Sequence, residues 1–416
     1  MNPILPNEYY IPDAEVRVEA DGTVYLYGSK DIPGDDCYCS REYQVFSSKD
    51  LIVWKASDIS FSTQMLREKT QSRLYAPDCV RYHGRYYLLY CLADGKEGIA
   101  ESGSPEGPFQ DKGIIEGISG IDPSVYVEGD TVYYFWGQMS LQGATIDLET
   151  GRIDEASHVS GILTQERDGF HEGSSIRKIG EKYYLVYTDI SRGRATCLGY
   201  ATADHPLGPY EKKGIIIDNT GCDPSSWNDH GSIQEIDGQY YVFYHRSTNN
   251  SFFSRRVCAE KITINPDGTI DEVEMTSQGV ENAIDCRRAL GASAFCRITG
   301  QAYLTDYTDA ENSYSVLTNV HAGDGAQVRY YDFSQPVSEF AVRAANPGEE
   351  AGIKVRLDAE DGEVIAVVSV GRSRGGYDFR EWAAPLTREV SGHHAVYLEF
   401  TGADGKLMNL KEFVFR

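Results

Sequence analysis

Short apolar runs along the first two thirds of the chain alternate with polar positions and come in pairs across a glycine turn. Val24-Tyr25-Leu26-Tyr27 follows Asp21-Gly22, and Tyr86-Tyr87-Leu88-Leu89-Tyr90 follows Gly84. Val132-Tyr133-Tyr134-Phe135 follows Gly129-Asp130, Tyr183-Tyr184-Leu185-Val186-Tyr187 follows Gly180, and Tyr240-Tyr241-Val242-Phe243-Tyr244 follows Asp237-Gly238. A shorter strand pattern precedes each turn, and a polar residue precedes that pattern. Two runs rich in β-branched and aromatic residues, joined at a glycine turn, predict a hairpin. Helical periodicity is scarce throughout.

The residues that open the five units are Asp13, Asp78, Asp122, Glu172 and His230, at spacings of 65, 44, 50 and 58. Roughly fifty residues hold about four short strands, the content of one propeller blade. The repeat therefore predicts an all-β fold, a five-bladed β-propeller. The inner strand of every blade in such an array starts near the axis, so four carboxylates and a histidine would meet in one pocket. An Asp ahead of a strand also serves as an ordinary turn cap. Four acids in register within a repeat favour the pocket.

After Gly279 these anchors stop. Short alternating runs such as Ile353-Lys354-Val355-Arg356-Leu357 and Ala395-Val396-Tyr397-Leu398-Glu399-Phe400 are separated by turns such as Asp361-Gly362. Many short strands with regular turns predict a β-sandwich of jelly-roll type. The expected division is residues 1–278 for the propeller and 279–416 for the sandwich.

A chain of 416 residues suits two cores. Its net charge of −24 argues against nucleic acid and anionic membranes as partners and is compatible with a neutral substrate. The nine cysteines are odd in number, and Cys37-Tyr38-Cys39 lacks the second pair a zinc site would want. Reduced thiols suit the cytoplasm. Met1-Asn2-Pro3-Ile4-Leu5-Pro6 has neither the basic nor the apolar region of a signal peptide, and no run approaches a membrane span. The expected location is cytoplasmic.

Carboxylates brought together from separate strands suit glycoside hydrolysis. That reaction needs one carboxylic acid to protonate the leaving oxygen and one carboxylate to activate water or attack the sugar. A third acid between them holds the proton donor's pKa up. The competing use of clustered acids is Ca²⁺, which takes six to eight oxygens.

At these residues the sequence resembles glycoside hydrolase family 43, five-bladed propeller enzymes acting on arabinose- and xylose-containing polymers. Asn2-Pro3-Ile4-Leu5-Pro6 resembles the family's opening, and Pro12-Asp13-Ala14 its first Asp motif, without the usual Pro-Ser. Ile121-Asp122-Pro123-Ser124, His171-Glu172-Gly173 and His230-Gly231-Ser232 resemble the later motifs, in order. The resemblance implies an inverting enzyme with Asp13 as general base, Glu172 as general acid and Asp122 raising the pKa of that acid. It implies that Arg256 reaches substrate, where it is otherwise a surface strand arginine, and that His230 lies on the axis and orders water, often around a bound Ca²⁺, where it is otherwise a satisfied buried histidine; no cofactor is implied for the chemistry. Asp78 either lines the sugar pocket or caps a turn. Phe170 and Trp136 offer either stacking faces or core packing.

The second region resembles carbohydrate-binding module family 6 in Gly348 through Val367, in Gly375-Gly376-Tyr377-Asp378 leading to Trp382, and in Asn409-Leu410-Lys411-Glu412-Phe413. The resemblance implies sugar contacts near Trp382 and at Asn409, although the module's early acidic calcium ligand is missing near Cys286-Arg287-Arg288. Alternatively, the sandwich only braces the propeller. The expected function is exo-acting release of α-L-arabinofuranosyl units from hemicellulose oligosaccharides. The alternatives are β-D-xylosidase or dual activity and, in a different class, a non-catalytic sugar-binding protein.

Overall fold

The hairpins expected from the glycine turns are present, and each grows outward into a sheet. In the computed structural model, which describes residues 1–309 and 313–416, blade one runs outward through Glu15–Val18, Val24–Tyr27, Glu42–Ser48 and Trp54–Ser62. Blade two comprises Asp78–Tyr82, Arg85–Cys91, Glu97–Ser102 and Gln110–Ile114. Blade three comprises Ser124–Glu128, Thr131–Trp136, Ser140–Asp147 and Arg152–Ile153, with Val159–Thr164 also paired to its third strand. Blade four comprises Phe170–Ile179, Lys182–Asp189, Cys197–Ala203 and Glu211–Asp218. Blade five comprises Ser232–Ile236, Gln239–Thr248 and Ser251–Ile262. Each inner strand touches the inner strands of both neighbours, so the ring closes on itself.

Among the described residues blade five has no fourth strand of its own, and the N-terminal segment covers its edge. The Ile4 N–H donates to the Val257 carbonyl (3.1 Å), and the Asn2 side chain both donates to the Ala259 carbonyl (3.1 Å) and accepts from the Ala259 N–H (2.9 Å). Chain start and last blade are thereby joined, and an exposed sheet edge is satisfied.

Five apolar clusters glue the ring, one between each pair of adjacent blades. They explain the abundance of tyrosine. Tyr43, Tyr90, Tyr134, Tyr187 and Tyr244 are fully buried and fill inter-blade space with rings, each worth roughly 1.5–3 kcal/mol of apolar burial. Their hydroxyls find partners, as Tyr90 does in Asp111 (2.8 Å) and Tyr244 in Glu260 (3.0 Å).

The C-terminal region is a sandwich of two antiparallel-rich sheets, one centred on Gly325–Asp332, His393–Thr401 and Ala351–Leu357, the other on Ser313–Thr318, Asn409–Phe415 and Glu339–Ala345. Phe340, Phe413, Phe415 and Tyr331 are buried between them. The sandwich docks directly on the propeller. The Asn249 N–H donates to the Leu304 carbonyl (2.8 Å), the Asp306 N–H to Asn249 Oδ1 (3.1 Å), and the Ser277 N–H to the Arg329 carbonyl (2.7 Å). No helix among the described residues is long and apolar enough to cross a membrane.

Candidate active site

Asp13, Asp122 and Glu172, three of the four acids that open repeats, lie near the starts of the inner strands, at one end of the axis. Asp13 and Asp122 both have left-handed backbone, each with φ of 58°. Asp tolerates this conformation better than most residues, and it is costly enough to mark a position held for a purpose. Glu172 sits in an irregular stretch of pairing between Phe170 and Ser175, beside Gly173 at φ +63°. The irregularity lets the glutamate leave the plane of its sheet. A side chain at Gly173 would press on the His230 ring, with Cδ2 2.9 Å from the new Cβ.

Asp13, Asp122, Glu172 and His230 line a single cavity of about 370 Å³, together with Arg255, Tyr38, Gln138 and Asn228. His230 Nδ1 stands 3.9 Å from Asp13 Oδ1 and 3.8 Å from Asp122 Oδ2. Glu172 is positioned by two amides: Gln138 Nε2 donates to Oε2 (2.8 Å) and Asn228 Nδ2 to Oε1 (3.3 Å).

The acids differ electrostatically. Burial alone would raise the Asp13 carboxyl, but Arg255 beside it and the hydroxyl of Ser29, which donates to Oδ2, hold it below its ordinary value. Arg255 Nη1 lies 3.0 Å from Asp13 Oδ1, and its Nε and Nη2 grip both oxygens of Asp31 (2.9 Å each). His245, with Nδ1 3.6 Å from Asp13, is pushed down to about 3 by burial and by Arg255; it is neutral at working pH and leaves this task to the arginine. Asp122 goes the other way. Burial, then the neighbouring Glu172, Asp13 and Glu97, push its carboxyl well above the usual range. The cavity thus holds a carboxylate kept low, Asp13, and, beside Glu172, a carboxyl pushed high, Asp122.

Several expected residues lie elsewhere. Arg256 is not in the cavity. Consecutive strand residues face opposite sides, so when Arg255 points at Asp13, Arg256 points into the domain interface, where it meets Asp306 Oδ1 and Ser315 Oγ at 2.8 Å each. Trp136 is buried in blade three against Tyr134 and His158, and Phe170 is fully buried beside Tyr187. Both serve packing. Asp78 neither lines the cavity nor merely caps a turn. It belongs to an ionic layer beneath, where Arg17 Nη2 approaches Asp78 Oδ1 (2.6 Å), Arg17 Nη1 approaches Glu15 (3.1 Å), Arg177 pairs with Glu15, and the Val125 N–H donates to Asp78 Oδ2 (2.8 Å). That layer closes the axis between the cavity and a second depression lined by Arg17, Arg177 and Gln234.

Arg255, Asp31, Gln138, Asn228 and Tyr38 are the residues that sequence reasoning missed. None opens a repeat; Tyr38, Gln138 and Asn228 reach the cavity from loops, Arg255 from within strand Ser251–Ile262, and Asp31 stands behind Arg255 and holds it.

Residues 1–270 match the model of Glycosyl hydrolases family 43, and residues 293–416 match that of Carbohydrate binding module (family 6). The chain belongs to glycoside hydrolase family 43. A xylosidase/arabinosidase of Thermoclostridium stercorarium is 30% identical, over 99% of this chain and 98% of its own length. An arabinoxylan arabinofuranohydrolase of Paenibacillus polymyxa is 26% identical, over 95% of this chain and 71% of its own. The crystal structure of a family 43 arabinoxylan arabinofuranohydrolase from Bacillus subtilis in complex with cellotetraose shares the fold, with a TM-score of 0.56 at 21% identity, covering 100% of this chain and 97% of that one.

Calcium was expected near His230 in this family 43 chain. His230 offers the axis a nitrogen, whereas Ca²⁺ takes oxygens. Among the described residues, the cluster of three ligand atoms from His, Cys, Asp or Glu is Asp35, Asp36 and Cys37, in a loop rather than at the axis. An ion beside His230 would be held through the carboxylate oxygens of Asp13 and Asp122, which face its Nδ1 at 3.9 and 3.8 Å, and through water. In the family 6 domain, Trp382 covers Gly371 and its indole N–H donates to the Ala344 carbonyl (3.2 Å). Asn409 accepts from Thr318 Oγ1 (2.8 Å) and donates to the Gly376 carbonyl (2.7 Å). Beside them Tyr377, 48% exposed, stacks on Tyr307 at 4.2 Å.

Proposed function

We propose that this family 43 chain is an exo-acting, inverting glycosidase that removes α-L-arabinofuranosyl units from arabinose-containing hemicellulose oligosaccharides. Residues 1–278 form the catalytic unit and 279–416 the accessory unit. One observation carries the reading: a single cavity holds the arginine-paired Asp13, whose carboxyl is kept low, together with Glu172 and Asp122, whose carboxyl is pushed high. Asp13 takes a proton from a water molecule as that water attacks the anomeric carbon. Glu172, steadied by Gln138 and Asn228, gives its proton to the leaving oxygen. Asp122, the third acid of the cavity, stands beside Glu172 and orients it for that transfer. No step uses a metal ion.

The competing reading is β-D-xylosidase, or activity on both sugars. The combined name of the Thermoclostridium stercorarium relative favours it, and the two nonreducing sugars present similar hydroxyls. A cytoplasmic location is part of the proposal, supported by nine cysteines outside any disulfide, eight of them buried. Sugar contact by the second domain is also part of it, with exposed Tyr377 rather than the engaged Trp382 offering the free ring face.

The test measures kcat/KM on aryl α-L-arabinofuranoside and aryl β-D-xyloside, with Glu172→Gln alongside. The expected result is at least about tenfold preference for the arabinofuranoside, roughly 1.4 kcal/mol of discrimination, and a loss of 10²-fold or more in the variant. Comparable rates would make the enzyme dual. No cleavage of either would return the molecule to the sugar-binding class.

A further inference from the structure

A row of aromatic rings leads out of the cavity. Tyr38 lines the cavity wall, with the Arg255 guanidinium 4.7 Å from its ring centre. Phe253 meets Tyr38 edge-on at 4.8 Å, Phe252 meets Phe253 at 5.9 Å, and Trp227 meets Phe252 at 6.3 Å. Exposure rises along the row. Tyr38 and Phe253 are half-buried, whereas Phe252 and Trp227 are each 41% exposed. Trp227 also adjoins Asn228, whose amide holds Glu172. The row therefore starts at the reacting centre and ends in solvent.

The outer rings stand on a built support. Trp227 lies on the segment between blades four and five, and Phe252 follows the Asn249-Asn250 turn of blade five. Asp223 joins these two loops, accepting from the Ser225 N–H (2.9 Å) and from the Asn250 N–H (3.0 Å), and Ser225 Oγ donates to Asn250 Oδ1 (2.8 Å). Asn249 is fixed in turn to Leu304 and Asp306 of the sandwich. Exposed apolar rings gain nothing for folding, and rings held this firmly lose little freedom when a ligand covers them.

We propose that Trp227 and Phe252 form the binding platform for the leaving part of the substrate, a neutral oligosaccharide of pyranose rings whose C–H faces lie on the two aromatic faces. The proposal rests on the functional reading above and specifies what lies beyond the scissile bond. The cavity takes one terminal sugar, the platform takes the next two or three, and the enzyme thereby favours decorated oligosaccharides over disaccharides. Continuity with the cavity points to the occupant: the row joins the cavity at Tyr38 and, through Trp227, at Asn228, so a chain leaving on that side passes over these rings.

The experiment compares kcat/KM on the disaccharide arabinofuranosyl-xylose and on arabinofuranosyl-substituted xylotriose for the full chain, for Trp227→Ala, for Phe252→Ala and for the remote surface variant Val53→Ala. The unaltered enzyme and Val53→Ala are expected to favour the longer substrate by about tenfold or more. Each platform variant should lose most of that preference, chiefly through KM, and Trp227→Phe should restore it. If the unaltered enzyme cleaves both substrates without length preference, or if the alanine variants keep it, the platform is overturned and the functional reading stands. If the unaltered enzyme cleaves neither these substrates nor the aryl glycosides, the functional reading falls and takes this occupant with it.

Discussion

Arg255 and Arg256 are neighbours in sequence and do unrelated work. Arg255 balances two buried carboxylates and keeps Asp13 ionised; Arg256 is spent on the sandwich. Removing the Arg255–Asp31 pair together, as Asp31→Asn with Arg255→Met, avoids leaving either charge buried alone. Burial then dominates at Asp13 and its pKa rises. A general base works only when deprotonated, so activity is lost as pH falls through that pKa, and raising it moves the loss upward. The acid limb of the kcat/KM–pH profile is expected to shift to higher pH by about one unit or more, measured on whichever aryl glycoside the parent enzyme cleaves. The meeting of Asp13, Asp122, Glu172 and His230 was legible because each opens a repeat. The choice between two adjacent arginines was not, because nothing local tells which face of Ser251–Ile262 looks inward.

Glycines decide how closely the elements approach. A Cβ on Gly231 would collide with the Phe243 carbonyl oxygen of the adjacent strand, and backbone cannot swing aside as a side chain can. Gly231→Ala should cost about 3 kcal/mol or more. Gly22→Ala, with nothing within 4 Å but φ at +77°, should cost only about 1–2 kcal/mol. Thermal unfolding of the two variants, compared with the parent, checks the ordering. Hairpins were legible at this scale because alternation and glycine turns are local signals. The N-terminal segment that covers the edge of blade five was not. Asn2 to Ile4 has no strand pattern of its own, and its pairing with Val257 and Ala259 exists only once the ring has formed.

Propeller and sandwich share charge as well as surface. Arg256 is almost completely buried, and Asp306 is the carboxylate that meets it, from the other domain. Asp306→Ala leaves the guanidinium with only neutral acceptors, Tyr10 Oη, the Asn7 carbonyl and Ser315 Oγ. The expected loss is about 2–3 kcal/mol in denaturant unfolding, and Asp306→Ala with Arg256→Met should recover part of it. Two-domain architecture was readable from the point where the repeat stops, but this bridge joins residues fifty positions apart on separate folds, beyond any periodic signal. The ionic layer of Glu15, Arg17, Asp78 and Arg177 has a different reach. With the axis sealed beneath the acids, entry and exit share one doorway. For the exo-acting glycosidase proposed above, a freed monosaccharide has to depart through the mouth by which the next chain end arrives, so the released sugar is expected to compete with substrate and slow turnover as it accumulates.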